Sequence, residues 1–85
     1  MPKSVFTDAY AALIETLVAS RKSQGVTQVE LANRLNKPQS FVSKIEQGQR
    51  RVDVVEFCAI AHALELDAAG LFQRVLKRFP RHFSI

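Results

Sequence analysis

Residues 25–51 of the chain read GVTQVELANRLNKPQSFVSKIEQGQRR. Two short helices joined by a tight turn are legible in them. Thr27 and Glu30 form a T-x-x-E capping box, in which each side chain satisfies the other's orphan backbone donor. Val26 and Leu31 stand at the positions of a hydrophobic staple, which sets how the chain enters the helix. Good helix formers follow to Leu35, with Val29, Leu31, Ala32 and Leu35 recurring at the helical period. Asn36 tolerates the left-handed backbone of a turn. Pro38 cannot continue a helix but suits the start of one. The second helix is therefore expected from Pro38 or Gln39 to Gln47, with Gly48 stopping it. Two helices across a turn of about 3–4 residues is the helix-turn-helix arrangement.

The second helix is asymmetric. With roughly 100° per residue, Val42, Ile45 and Glu46 fall on one side, and Ser40, Ser43, Lys44 and Gln47 fall opposite, with Gln39 on the border. The free face carries amide, hydroxyl and ammonium groups and no carboxylate. A solvent-facing helix would ordinarily interleave Glu with Lys for i,i+4 support. These groups instead match base edges and phosphates: Gln with adenine, Lys with guanine, Ser with several partners.

On these residues the chain resembles the phage-repressor (Xre/Cro-type) helix-turn-helix family. The stretches that carry the resemblance are Thr27-Gln28-Val29-Glu30-Leu31-Ala32 and Pro38-Gln39-Ser40-Phe41-Val42-Ser43-Lys44-Ile45-Glu46-Gln47-Gly48, within a match from about Arg21 to Leu66. It implies an all-α, compact five-helix domain with a central helix-turn-helix. It implies that Gln28 caps its helix onto a DNA phosphate, that Gln39 and Ser40 read bases, and that Lys44 reaches a base or a phosphate. Arg21 and Glu46 match an ion pair that family members often bury. Asn36 stands where the family usually has Gly, and Phe41 where a small polar residue is common. Phe41 either packs inward or touches a thymine methyl or sugar.

Outward from this centre, Thr7 or Asp8 opens a first helix whose Tyr10, Leu13, Ile14, Leu17 and Val18 form a core stripe. Arg21 continues the stripe one turn later, so its charge needs a partner. Gln49, Arg50 and Arg51 form the loop after the second helix, and two adjacent arginines there suit phosphates better than a merely solvated loop. Asp53 and Glu56 form another capping box, with Val52 and Phe57 as staple. That helix runs to about Leu64 and places Val54, Phe57, Cys58, Ala61 and Leu64 on one side. A last helix, Ala68 to about Arg78, carries the wide stripe Leu71, Phe72, Val75, Leu76 and Phe79. Leu71, Phe72, Val75 and Phe79 are either core or a homodimer interface that sets two recognition helices in successive major grooves, about 34 Å apart. Residues 1–6 are expected to be a flexible arm, 7–79 the domain and 80–85 a tail.

Composition narrows the function classes. Twelve Lys and Arg against eight Asp and Glu give a net charge of +4, which suits a polyanion partner. One Cys fits a reducing compartment. There is no leader pattern and no apolar run long enough to span a membrane, so a cytoplasmic, nucleoid-associated protein is expected. Cys58 and His62 are helical neighbours, but no oxyanion hole or orienting carboxylate stands at a recognisable spacing, and no metal-ligand set or cofactor loop is present. The sequence is not read as an enzyme's.

The leading expectation is a sequence-specific double-stranded DNA-binding transcriptional regulator, a dimeric repressor on a two-fold operator. Its base readers are Gln39, Ser40, Ser43 and Lys44, and its phosphate contacts Thr27, Gln28, Gln47, Gln49, Arg50 and Arg51. The alternative is an antitoxin-type module that binds a protein partner and autoregulates its operon. Few residues beyond the domain are left to hold such a partner. A protein antagonist of the regulator is a further expected partner, and an adaptor without DNA binding is the third reading.

Overall fold

A computed structural model describes residues 7–83 and 85, so the expected arm 1–6 lies outside the described residues. Among the described residues five helices follow in order: α1 Asp8–Ser23, α2 Gln28–Arg34, α3 Gln39–Glu46, α4 Val54–Ala63 and α5 Ala68–Arg78. The fold is all-α. Four of the five starts are capped by side chains. Thr7 Oγ1 accepts from the Tyr10 N–H at 3.1 Å, and Asp67 Oδ2 from the Gly70 N–H at 2.8 Å. Both capping boxes close reciprocally. Thr27 and Glu30 exchange bonds of 3.0 and 2.8 Å, and Asp53 and Glu56 bonds of 2.7 and 3.1 Å. α3 begins after Pro38 and has no side-chain cap.

The helix ends share a second device. Gly25, Asn36, Gly48 and Glu65 all have positive φ, between 59° and 81°, and each follows a helix whose last carbonyls they help satisfy. Beyond α4, the Leu66 N–H reaches the Ala61 carbonyl and the Glu65 N–H the His62 carbonyl, both at 2.9 Å. Asn36 behaves as its residue type suggests. Glu65 does not: nothing in its type marks a left-handed residue, which costs a side chain about 1–2 kcal/mol. Glu65→Gly should therefore raise stability by about 0.5–1 kcal/mol after the added freedom of the unfolded chain is subtracted. Thermal unfolding would read this as a higher midpoint, and an unchanged or lower one would contradict the strain.

α1 lies between α3 and α5, α2 packs on α3 and α4, and α4 on α5. The core draws on every helix, with Ile14 and Leu17, Leu31 and Ala32, Val42 and Ile45, Phe57, Ile60, Ala61 and Leu64, and Leu71 and Val75 all buried. Two side chains tie helix ends to neighbours: Gln24 Nε2 donates to the Leu64 carbonyl at 2.9 Å, and Arg34 Nη1 to the Ala63 carbonyl at 2.7 Å. Both satisfy carbonyls that the end of α4 leaves without an intrahelical partner.

Three sequence expectations need correction. Val29, placed on the apolar face of α2, is 48% exposed. On α4 the buried stripe is Phe57, Ile60, Ala61 and Leu64, while Val54 and Cys58 face outward. Apolar residues populate more of α4 than one neighbour can cover, so periodicity alone misjudged its phase. On α5, Leu71 and Val75 are 2% and 1% exposed and belong to the core, whereas Phe72 and Leu76 are 48% and 47% exposed. Leu71 and Val75 are therefore withdrawn from the expected dimer interface. Phe79 is half-buried and stacks edge-on with Phe83.

Candidate nucleic-acid interface

The apolar residues of α3 anchor it with Val42 and Ile45 inward, which turns the opposite side out. Gln39, Ser40, Lys44 and Gln47 are exposed, and Ser43 is half-exposed. The four base readers expected from the sequence thus share one outward face of a single helix. Among their neighbours, Thr27 and Gln49 are exposed and Gln28 is half-buried. Thr27 accepts the α2 cap on its hydroxyl and still has that hydroxyl's proton to donate.

Beneath the face lies a hydrogen-bonded chain. Arg21 Nε meets Glu46 Oε2 at 2.7 Å and Arg21 Nη2 meets Glu46 Oε1 at 3.0 Å, a bidentate pair. Their side chains are only 9% and 10% exposed. Arg21 Nη1 also donates to the Val26 carbonyl at 2.8 Å, at the turn between α1 and α2. Glu46 Oε1 accepts a further bond from Gln28 Nε2 at 2.8 Å. Gln28 Oε1 in turn accepts from Gln39 Nε2 at 3.3 Å. The start of α3 is thereby linked through α2 to the buried pair. Sequence reading matched Arg21 with Glu46, but Gln28 as the bridge was not foreseen.

Both arginines of the loop have intramolecular partners. Arg50 forms two parallel bonds to Glu56, at 2.9 and 2.8 Å, and its guanidinium lies 4.7 Å from the centre of the Phe41 ring. Arg50 holds the Glu56 carboxyl below its ordinary range, with the Asp53 N–H adding to the effect. Phe41 is half-buried with Lys37 also over its ring, at 5.4 Å. It packs within the protein as the hub of this cluster. Arg51 stacks 4.3 Å over the Tyr10 ring, and the Tyr10 hydroxyl accepts from the Val52 N–H at 3.0 Å. Both arginines are exposed, so a phosphate can reach them, but it competes with Glu56 for Arg50 and with Tyr10 for Arg51. Those partners lie 6 and 41 residues away in the chain. The nearer one was hidden by its evident role as a capping residue.

A short helix packed across a turn from a second one, with a polar outward face and a basic following loop, defines a helix-turn-helix domain. A helix-turn-helix family profile matches residues 17–71. An XRE-family like protein from Pseudomonas syringae pv. tomato str. DC3000 superposes with a TM-score of 0.78 at 42% identity, covering 85% of this chain and 88% of that one. The clp gene regulator ClgR from Corynebacterium glutamicum is similar at 26% identity and a TM-score of 0.72, over 81% of this chain and 73% of its own. In fold alone, the chain is also similar to the restriction-modification controller protein C.Esp1396I. That structure is a tetramer in complex with its natural 35 base-pair operator, with a TM-score of 0.75, 23% identity and coverage of 82% and 92%. No curated protein matches. The chain belongs to the Xre-type helix-turn-helix family, a family of DNA-binding transcription regulators.

Proposed function

We propose that this protein is a sequence-specific regulator of transcription that places α3 in the major groove of double-stranded operator DNA. The observation that carries the reading is the outward face of α3, where Gln39, Ser40, Ser43 and Lys44 stand together without a carboxylate. Gln39, Ser40, Ser43 and Lys44 read base edges. Thr27, Gln28, Gln47, Gln49, Arg50 and Arg51 hold the flanking phosphates. Such contacts position a protein without specifying sequence. It acts in the cytoplasm on the nucleoid, as a repressor and without a cofactor or enzymatic step.

Titrating the protein by fluorescence anisotropy against DNA upstream of its own gene and against random duplex, at several salt concentrations, tests this. Tight binding confined to the upstream duplex is expected of an autoregulator. Absence of salt-dependent binding to any duplex would remove the reading. Arg51→Ala should weaken binding to all DNA alike and reduce the salt slope by about one. A loss confined to the preferred duplex would show that Arg51 does something other than hold a phosphate.

The functional unit is a homodimer on a two-fold operator, joined through the outer side of α5 and the start of α4. Support comes from an apolar concavity of about 340 Å³ lined by Leu13, Val52, Val54, Phe57, Cys58, Ala68, Ala69 and Phe72, with Asp53 its sole charged member. Val54 in that lining and Val55, next in the chain, are 78% and 76% exposed. Contiguous apolar surface of this kind marks an interface. Phe72→Glu should yield a folded monomer by analytical ultracentrifugation and lose cooperative DNA binding. A wild-type protein that stays monomeric, free and on DNA, would reject the dimer.

A further inference from the structure

We infer that Glu46 is a positioning residue for base recognition: its carboxylate sets which end of the Gln39 amide is donor and which is acceptor. This deepens the proposed function and rests on its reading of Gln39 as a base reader. A glutamine amide has a donor end and an acceptor end of nearly the same size, and two orientations related by a flip. An isolated pair of glutamines can bond in either sense, so neither is polarised by the other. The pair here is not isolated. Gln28 Nε2 lies 2.8 Å from Glu46 Oε1, and an ionised carboxylate only accepts. Gln28 must therefore turn its NH₂ toward Glu46, which leaves its Oε1 toward Gln39. Where the two amides meet, Gln39 then donates, with its Nε2 3.3 Å from Gln28 Oε1.

What remains on Gln39 is its Oε1 and one Nε2 proton, in a fixed left-to-right order. A glutamine reads adenine by accepting from N6 and donating to N7. With the helix docked in one place, the flipped amide would present the reverse pattern. A fixed order thus converts an ambidextrous side chain into a specific one before DNA arrives. Arg21 completes the device. Bonds from Nε to Oε2 and from Nη2 to Oε1 hold the carboxylate in place, and the low exposure of both side chains keeps water from substituting as a partner.

The test uses the full-length chain and a pool of duplexes with a randomised centre. Wild type, Gln39→Ala and Glu46→Gln are each scored for base preference at every position, normalised within each variant because E46Q also removes a negative charge. E46Q keeps the shape but turns one acceptor into a donor. Arg21 claims the remaining oxygen, so Gln28 faces an N–H and is free to turn over, with Gln39 following. The expected result is a loss of about tenfold in preference at the one position where Gln39→Ala also loses it, with the other positions retained.

Unchanged preference in E46Q at a position where Gln39→Ala loses it would overturn the inference and leave Gln39 a base reader. An equal loss at all positions would also overturn it, since that is what damage to the domain alone predicts. If Gln39→Ala alters no position, the base-reading assignment falls and the inference with it. Should E46Q not fold, NMR of the wild-type protein decides. A slowly exchanging Gln28 amide proton with cross-relaxation to Glu46, and cross-relaxation from a Gln39 amide proton to the Gln28 side chain, support the fixed order. A Gln28 amide that exchanges as freely as that of an exposed glutamine, without such cross-relaxation, would overturn it.

Discussion

Arg21→Ala is expected to destabilise the domain by about 3–5 kcal/mol, because it leaves the Glu46 carboxylate buried beside the hole where its partner stood. The substitution removes both bonds to Glu46 and the 2.8 Å bond to the Val26 carbonyl. The first loss strands a charge that is only 10% exposed. The second frees the turn that leads into α2. For a domain of this size each kcal/mol moves the thermal midpoint by roughly 4–8 °C, so the fall should be unmistakable in a thermal melt. Arg21→Met combined with Glu46→Leu should recover much of the loss, since well-packed apolar residues often replace a buried pair without penalty. That double variant would still lack the acceptor for Gln28. An Arg21→Ala protein as stable as wild type would mean that the pair does not hold the fold together.

Gln39→Ala should relax discrimination at about one base pair and cost about 1–3 kcal/mol on the preferred duplex, with little change on random DNA. Gln39 is the first residue of α3 and is exposed. Alanine is the best helix former and removes no buried packing there, so the domain should remain folded. The bond to Gln28 at 3.3 Å is long and at the surface, and its loss adds little to stability. Competition binding between the preferred duplex and its single-position variants measures the effect. Equal losses on preferred and random duplex would end the assignment of Gln39 as a base reader.

Arg21→Ala and Gln39→Ala separate what Glu46 joins. The first reads the carboxylate's share in the fold and the second the amide's share at the DNA. The loop carries a second bidentate pair, Arg50–Glu56, of a different kind. At 42% and 24% side-chain exposure it is open to solvent, so its worth to stability is small. Its consequence is geometric, since it sets where the following loop sits relative to Phe41.

The five helices and their boundaries were legible because their signals are local. Capping boxes at Thr27 and Asp53, left-handed residues at Gly25, Asn36 and Gly48, and apolar positions recurring at the helical period all act within a few residues. The outward face of α3 was legible for the same reason, since one helix turn decides which side chains share a side. Other features depend on which neighbour arrives. Whether Val54, Cys58, Phe72 and Leu76 face core or solvent depended on how much of α4 and α5 the rest of the bundle could cover. That Arg50 and Arg51 fold back onto Glu56, Phe41 and Tyr10, and that Gln28 joins Glu46 to Gln39, follows from side chains up to 41 residues apart meeting in space. By itself the sequence determined the helices and the polar face of α3, through bonds closed within single turns. Only the tertiary structure decided the orientation of the amides on that face and the apolar surface left open, because both are set by partners that distance along the chain conceals.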